Sequence, residues 1–170
     1  MMRKTFLSIA AAAIVTTAAA PAFAQTPRPI DQFKYWGAYA YKDAKVGEFC
    51  YILAIPTAKE PVDRDHGDVY FLVSRKPGGA EAYEPQIEVG YTLREGANVD
   101  VTVDGKKFEM FSKGNKAWLK DVAKENALVA AMRAGTSMKV SGESNRGTQT
   151  SYTYSLSGVT AALREINKCK

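Results

Sequence analysis

The stretch that decides the fold is residues 137–169, SMKVSGESNRGTQTSYTYSLSGVTAALREINKC. Its first part predicts a β-hairpin, in which a strand at 138–140 pairs with a strand at 148–156 across a turn at 142–147. In the second strand, large apolar side chains alternate with Ser and Thr, as is typical of a half-buried antiparallel strand. Gly158 ends this strand and separates it from the segment that follows.

The end of the same stretch predicts a terminal helix. Its apolar residues recur at i, i+3, i+4, i+7 and i+10, namely Val159, Ala162, Leu163, Ile166 and Cys169. This spacing places them in one stripe along a helix, and such a stripe packs against a core. We therefore expect the helix to lie on the sheet, with Cys169 facing the sheet.

A second, short helix is predicted before the hairpin, over residues 125–134. Its apolar side is formed by Leu128, Val129 and Met132. Arg133 stands in the last turn, where a cation is favourable, and Gly135 follows as the expected C′ residue. Residues 113–124, directly upstream, have no regular pattern.

The rest of the chain indicates strands and turns. Alternating or apolar runs predict strands at 35–41, 46–55, 68–74, 87–93, 99–103 and 107–111. Asp104-Gly105, between the last two, is a strong hairpin signal. The chain has no βαβ rhythm, so the predicted fold is mainly β (α+β). We expect an antiparallel β-sandwich or strongly curved sheet, with a short helix and a C-terminal helix packed on it.

The N-terminus has the pattern of a cleaved signal peptide. Arg3 and Lys4 precede an apolar run over residues 6–20, and Ala22-Phe-Ala24 is an A-x-A cleavage signal. The apolar run is shorter than the ~20 residues that a membrane span needs, so no span is expected. The predicted location is the periplasm or the cell surface.

This pattern also sets the expected domain organisation. We predict a cleaved signal peptide over residues 1–24, a flexible leader over 25–34, and a single β-rich domain over 35–170. The formal charge of +5 gives no dense basic face of the kind that nucleic acid requires. Nucleic acid is therefore not an expected partner.

The only two cysteines are Cys50 and Cys169, 119 positions apart. Disulfides form and persist in exported proteins, so we predict that the two residues are paired. In the chain-entropy model, closing a loop of this size contributes about 4 to 5 kcal/mol, from which native strain subtracts. The alternative is two separate buried thiols.

Six features occur in a fixed order over residues 35–169. They are Trp36-Gly-Ala-Tyr, Cys50, the 125–135 helix, Ser141-Gly-Glu-Ser-Asn-Arg-Gly147, Tyr154-Ser-Leu-Ser-Gly158 and Cys169. Together they resemble the invasion-associated locus B family of exported proteins of Gram-negative bacteria. The resemblance implies an envelope or surface location and, in some pathogenic members, a contribution to entry into host cells. It implies no known reaction and no catalytic residues.

His66 is the only histidine, so a Ser-His-Asp site would have to use it, and the nucleophile motif G-x-S-x-G is absent. We expect neither an enzyme nor a cofactor. Asp63, Asp65 and Asp68 surround this histidine and offer carboxylates to a hard cation or zinc. Ordinary loop chemistry explains them better, because Asp and Gly favour turns, so no metal is expected.

Two groups of residues are candidates for a contact surface. Tyr35, Tyr39 and Tyr41 fall on one face of the first predicted strand, as a stacking platform for a sugar or as part of the core. Asn145 and Arg146 occupy the predicted hairpin tip, and exposed tips are where partner contacts concentrate.

A series of lysines runs through the middle of the chain, at Lys106, Lys107, Lys113, Lys116, Lys120 and Lys124. Such a series either meets anionic lipid or phosphate groups or forms a solvated surface, which is the commoner meaning.

These observations predict a non-enzymatic envelope protein that acts through contacts. Its partner would be an unidentified envelope or host-surface protein, or an anionic surface, and the family resemblance implies a contribution to host-cell invasion. The first alternative is a periplasmic protein that binds a small molecule or glycan. The second is an envelope hydrolase with a carboxylate-based or tyrosine-based site.

Overall fold

A computed structural model of the protein describes residues 26–43, 47–76 and 82–169. The strands in these ranges are β1 (Arg28–Phe33), β2 (Trp36–Asp43), β3 (Gly47–Ala54), β4 (Ala58–Glu60), β5 (Tyr70–Arg75), β6 (Tyr83–Glu88), β7 (Asn98–Val103), β8 (Lys106–Lys113), β9 (Lys116–Leu119), β10 (Ser137–Glu143) and β11 (Gln149–Ser155). The helices are α1 (Glu125–Ala134) and α2 (Val159–Ile166), and a 3-10 turn covers Val122–Lys124. The predicted signal peptide lies outside the described residues.

The strands of the described ranges form one antiparallel sheet, in the order β1-β2-β3-β5-β6-β9-β8-β7-β10-β11-β4. β4 follows β3 in the chain, yet it pairs with β11 at the opposite end of the sheet. The chain therefore crosses from one half of the sheet to the other after β3. The prediction of a mainly β, antiparallel fold with two helices is confirmed.

The two ends of the sheet meet around a common core. The indole Nε1 of Trp36 in β2 donates a hydrogen bond to the carbonyl oxygen of Ser155 in β11, at 2.9 Å. The ring of Phe71 in β5 lies edge-on to both Trp36 and Tyr154, with centroid separations of 6.5 and 5.8 Å. Since β2 and β11 are second and tenth in the strand order, these contacts require a strongly curved sheet.

The period-2 pattern of the strands decides which side chains fill this core. In β2, Trp36, Ala38 and Ala40 point inward and are buried. Tyr39 and Tyr41 point outward and are half-buried. Burying a large apolar side chain of this kind contributes roughly 1.5–3 kcal/mol, and the inward faces of the sheet supply most of them.

The terminal helix α2 packs against β1, β2 and β3. Its buried stripe is Val159, Ala162, Leu163 and Ile166. Just beyond the helix, Cys169 is joined to Cys50 of β3, with their Cα atoms 6.4 Å apart. The apolar stripe and the disulfide therefore attach the C-terminal end of the chain to the N-terminal strands of the sheet.

Helix α1 has the predicted bounds, but Gly135 differs from the expected C′ residue. Its φ of −88° and ψ of 173° are extended, not left-handed. A Cβ atom at this position would lie 2.8 Å from Val103 Cγ1 and 3.0 Å from Leu156 Cδ1. Glycine is needed here because the backbone passes close to β7 and to the end of the hairpin, not because of its φ angle.

The predicted flexible leader over 25–34 is wrong for most of its length. Residues Arg28–Phe33 form β1, which pairs antiparallel with β2. Ile30 and Phe33 also pack against the core. The segment contains Pro29 and has no clean alternation, so its sequence gives no local strand signal. It is held as a strand by pairing with β2 and by packing against α2.

Two other strand predictions need correction. Residues 113–124 are not irregular throughout, since Lys116–Leu119 form β9 between β6 and β8. The predicted strand over 87–93 shares only residues 87 and 88 with the observed strand β6, which covers Tyr83–Glu88. The chain leaves the sheet there because Gly90 packs against the backbone of Gly67, and its N–H donates to the His66 carbonyl at 3.2 Å.

Among the described residues, no helix has the length and apolarity needed to cross a membrane.

The predicted Asp104-Gly105 turn joins β7 to β8 and is also tied to the start of β10. Both residues have positive φ, at 44° and 91°, as a tight two-residue hairpin turn requires. The Asp104 carboxylate accepts hydrogen bonds from the backbone N–H of Thr136 at 2.7 Å and of Ser137 at 3.2 Å. These backbone bonds, that of Thr136 first, lower the pKa of Asp104 below its ordinary value.

We predict that Asp104→Asn lowers the urea midpoint of unfolding at about pH 7 and has little effect at about pH 2.5. A carboxyl group whose pKa is lower in the folded state stabilises the protein fully above the unfolded pKa. That stabilisation is lost as the pH falls through the folded pKa. Urea titrations of both proteins at several pH values measure the effect, with Asp100→Asn on the exposed side of β7 as the control. An equal effect of Asp104→Asn at both pH values would contradict the assignment.

Candidate functional site

A polar cleft of about 460 Å³ lies where three segments meet, which are the 61–68 loop, the chain after β6 and the turn between β10 and β11. The residues that line it are Arg64, Asp65, His66, Gly90, Tyr91, Thr92, Ser144, Asn145, Arg146, Thr148 and Thr150. A cleft of this size is large enough for a small ligand. We call it the His66 cleft.

His66 is buried at the base of this cleft, with 6% of its surface exposed. Its Nε2 atom lies 2.9 Å from the carbonyl oxygen of Pro61. Because a carbonyl oxygen only accepts, Nε2 carries a proton and donates. The other ring nitrogen, Nδ1, lies 2.9 Å from the hydroxyl of Tyr152 in β11. Both nitrogens of the single histidine are therefore engaged inside the protein.

The hydrogen bonding continues from Tyr152 across the base of the cleft. Its hydroxyl donates to the hydroxyl of Tyr91 at 2.9 Å, and Tyr91 lies 2.6 Å from Thr150 Oγ1. Thr150 in turn donates to the carbonyl oxygen of Gly142 at 3.1 Å. Burial and, second, the bond with Tyr91 raise the pKa of Tyr152, so its hydroxyl stays protonated. We call the series from Pro61 to Gly142 the buried chain.

The loop that carries His66 is held by backbone contacts. A Cβ atom on Gly90 would lie 2.6 Å from Gly67 Cα and from the His66 carbonyl oxygen, so only glycine fits there. Asp65 Oδ1 accepts from the N–H of Gly67 at 2.8 Å, and Lys59 Nζ donates to the Gly67 carbonyl at 3.0 Å. These contacts hold the backbone of the loop on both sides of His66.

The predicted hairpin tip forms another wall of the cleft. Ser144 N donates to the Thr148 carbonyl at 2.9 Å, and Thr148 N donates to Ser144 Oγ at 3.1 Å. Asn145 N donates to the Thr92 carbonyl at 2.9 Å. The structure thus places Asn145 and Arg146, both exposed, in the turn between β10 and β11 as predicted, and it brings this turn beside the His66 loop.

The acidic residues around His66 are not arranged as metal ligands. Both ring nitrogens of His66 are engaged elsewhere, and Asp65 accepts from the backbone. Within the described ranges, one cluster has ligand atoms close enough to share an ion, formed by Glu48, Cys50 and Cys169. Its two sulfur atoms are bonded to each other in the disulfide, so they are not available as thiolates.

Two of the predicted tyrosines belong to a second feature, on the outer face of β2 and β3. Tyr39 stacks on Tyr51 with a centroid separation of 5.5 Å and an interplanar angle of 19°. Tyr41 lies 5.0 Å from Phe49 and 6.4 Å from Tyr51. All four rings are half-buried. We call this group the aromatic patch. Phe49 and Tyr51 were not among the predicted contact residues, but they could have been found from the sequence, because they alternate outward on the strand that pairs with β2.

The third predicted tyrosine, Tyr35, does not share this face. It lies in the turn between β1 and β2, outside the strand, and its N–H donates to the Ser157 carbonyl at 3.4 Å. Its side chain is 52% exposed. The turn breaks the period-2 alternation that the sequence extended to residue 35, so the aromatic patch begins at Tyr39.

The predicted lysine series is divided between different environments. Lys116 pairs with Glu88 at 3.2 Å, and Lys120 lies 3.6 Å from Glu109. Lys106 lies 5.5 Å over the ring of Phe108. Each of these ammonium groups has a local partner, which fits the interpretation of a solvated, mixed-charge surface better than that of a single basic face.

Comparisons with family models and with solved structures each gave a match. The family model described as "Invasion associated locus B (IalB) protein" matches residues 36–167. Among solved structures, the crystal structure of invasion associated protein B from Bartonella henselae matches with a TM-score of 0.59 at 17% sequence identity, over 80% of this chain and 94% of that one. At this identity the structural match concerns the fold alone. A comparison with curated protein sequences gave no significant match.

Tyr154 is two residues from Tyr152 on the same strand face, yet its environment is different. It is completely buried, and within the described structure its hydroxyl has no hydrogen-bond partner. Burial raises the pKa of Tyr154 well above its ordinary value. An unpaired hydroxyl in a core costs roughly 1–3 kcal/mol, whereas a paired one contributes to stability.

We therefore predict opposite effects of two matched substitutions. Tyr154→Phe should leave the free energy of unfolding unchanged or raise it by about 1 kcal/mol, because it removes an unpaired hydroxyl. Tyr152→Phe should lower it by about 1–3 kcal/mol, because it leaves buried partners unpaired. Urea unfolding of each variant measures both effects. A loss in Tyr154→Phe as large as that in Tyr152→Phe would contradict this view of the buried chain.

Proposed function

The chain belongs to the invasion associated locus B family, and we propose that it is a non-enzymatic exported envelope protein that binds a protein partner through the aromatic patch. The observation that carries this proposal is the patch itself. Four aromatic rings lie together on the solvent side of two paired strands. Aromatic side chains are enriched at protein interfaces and at the residues that dominate binding energy.

The geometry of the patch is suited to a protein contact. Tyr39 and Tyr51 present nearly parallel rings, and Tyr41 and Phe49 extend the apolar surface beside them. Rings held by their neighbours lose little conformational freedom on binding, while tyrosine hydroxyls supply polar contacts at the rim. Partial burial raises the pKa of Tyr51, so its hydroxyl remains a neutral donor.

Export is supported by two independent features. The first 24 residues have the charged, apolar and small-residue pattern of a signal peptide. The disulfide between Cys50 and Cys169 is of the type that persists in oxidising compartments. Both agree with a location in the periplasm or at the cell surface.

The non-enzymatic part of the proposal is supported by the state of His66. A general base needs a ring nitrogen directed at a nucleophile or at a substrate. In this protein Nε2 is directed at the Pro61 carbonyl and Nδ1 at the Tyr152 hydroxyl. The single histidine of the sequence is therefore committed to internal hydrogen bonds.

The Bartonella structure is that of an invasion associated protein. For this chain we extend the proposal to a partner on the envelope or on a host surface, and a role in invasion would follow from a host partner. A second candidate, a glycan-binding protein, is favoured by the nearly parallel Tyr39 and Tyr51 rings, since flat aromatic faces also stack on sugars.

We predict that chemical crosslinking in cells, followed by mass spectrometry of envelope fractions, captures a specific protein. Tyr39→Ser should reduce this capture at least about tenfold, as expected for an interface residue that dominates binding. Tyr35→Ser is the matched control, because Tyr35 is exposed but lies outside the patch. Circular dichroism verifies that both variants fold.

Two outcomes would overturn the leading proposal. One is a capture that Tyr39→Ser and Tyr35→Ser reduce equally. The other is an absence of capture together with a thermal shift in a glycan panel that Tyr39→Ser abolishes, which would support the glycan-binding candidate.

A further inference from the structure

We propose that the His66 cleft is a binding site for an oxyanion, a carboxylate or a phosphate-like group, and that the bound state holds His66 as an imidazolium. This site is separate from the aromatic patch and does not depend on the function proposed above. Two independent observations carry it, which are the side chains that line the cleft and the number of protons in the buried chain.

The first observation is the composition of the cleft. Arg64 and Arg146 reach it from two different segments, and Asn145, Thr92 and Thr148 add amide and hydroxyl groups. Guanidinium groups with neutral donors beside them are the usual partners of carboxylates and phosphates.

The positive charges of the arginines at the rim of the cleft are not neutralised by carboxylates of the described residues. Arg146 has no ion-pair partner among the described residues, and Arg64 lies 4.0 Å from the exposed Asp63, a contact that is weak in water. Arg94, by contrast, is engaged by Glu143 at 3.0 Å. Asp65 is the acidic residue of the lining, and one of its oxygen atoms already accepts from Gly67 N. Two cations are therefore available to a ligand against one carboxylate.

The second observation is a shortage of donor protons in the buried chain. If His66 is neutral, the chain has fewer donor protons than hydrogen bonds. Five bonds connect the Pro61 carbonyl, His66, Tyr152, Tyr91, Thr150 and the Gly142 carbonyl. Both ends are carbonyl oxygens, which only accept. The three hydroxyls bring one proton each, and a neutral imidazole brings one, so four protons are available for five bonds.

The direction of each bond locates the missing proton. Thr150 gives its only proton to the Gly142 carbonyl, so Tyr91 must donate to Thr150 and Tyr152 must donate to Tyr91. The Tyr152 oxygen is then an acceptor toward His66, whose Nδ1 must donate. Since Nε2 donates to Pro61, both ring nitrogens carry protons when every bond is made.

An imidazolium at the base of the cleft needs a compensating charge, because an unpaired buried charge is costly. The ionisable groups around it are Tyr152 of β11, Tyr91 beyond β6, Lys59 of β4, Asp65 of its own loop, and Arg64 and Arg146 at the rim. The cations in this set outnumber the carboxylate. A bound oxyanion supplies the missing negative charge, so anion binding and protonation of His66 favour each other.

The test is isothermal titration calorimetry of the oxidised protein with sodium sulfate and, separately, with sodium acetate, at constant ionic strength. Both probes keep their charge between about pH 6 and pH 8. Sulfate represents a phosphate-like ligand and acetate a carboxylate. We expect saturable binding of one of them, at least about threefold tighter at pH 6 than at pH 8.

Arg146→Gln should weaken this binding about tenfold. Arg164→Gln, on the exposed side of α2, makes the same change in net charge away from the cleft and should leave the affinity unchanged. Tyr91→Phe keeps the ring at the cleft but removes one hydroxyl, so that Tyr152 can donate to a neutral His66. This variant should bind at pH 6 but lose most of the pH dependence.

Three results would overturn the proposal. The first is the absence of saturable binding of either anion below about 20 mM, a concentration that corresponds to negligible affinity. The second is an equal loss of affinity in Arg146→Gln and Arg164→Gln, which would indicate a net-charge effect. The third is a pH dependence that is unchanged in Tyr91→Phe.

Discussion

The hydrogen bond from the Trp36 indole to the Ser155 carbonyl joins residues that are 119 positions apart, near opposite ends of the sheet. It fixes how far the sheet curves, because Trp36 can reach Ser155 only if the two halves fold over the same core. Phe71, edge-on to both Trp36 and Tyr154, fills the space between them. The disulfide adds a covalent constraint of the same kind, since Cys169 holds α2 on β3.

This closure also produces the His66 cleft. The chain leaves β3, crosses to the other end of the sheet and pairs as β4 with β11. The 61–68 loop follows directly, so its position depends on that crossing. It brings His66 against Tyr152, whose neighbour on the same strand face, Tyr154, belongs to the apolar core. Polar groups buried beside an apolar core must satisfy one another, which gives the buried chain its strict proton requirement.

The parts of this structure that the sequence predicted have local signals. Helix α1, the Asp104-Gly105 turn and the strand faces of β7 and β11 depend on periodicity and turn chemistry within a few residues. β1, β4 and β9 were missed because each forms by pairing with strands that are distant from it or give no local signal. The end of β6 at Glu88 depends on a contact between Gly90 and Gly67.

The candidate site shows the same division. Tyr39 and Tyr41 were found from alternation, while Tyr35 was wrongly grouped with them because a turn interrupts the strand. The buried chain could not be predicted, since His66, Tyr91 and Tyr152 are separated by 25 to 86 positions and each has an ordinary structural explanation on its own. Their relation becomes visible only when the direction of every hydrogen bond is assigned.

The most direct test of this account is the ring nitrogen spectrum of His66, which is the only histidine and therefore gives a single set of signals. A long-range proton–nitrogen correlation spectrum at about pH 6, recorded with the anion that binds, sulfate or acetate, reports the protonation of both nitrogens. The account predicts imidazolium shifts, with protons on Nδ1 and Nε2. A neutral ring with a proton on Nε2 alone would contradict it.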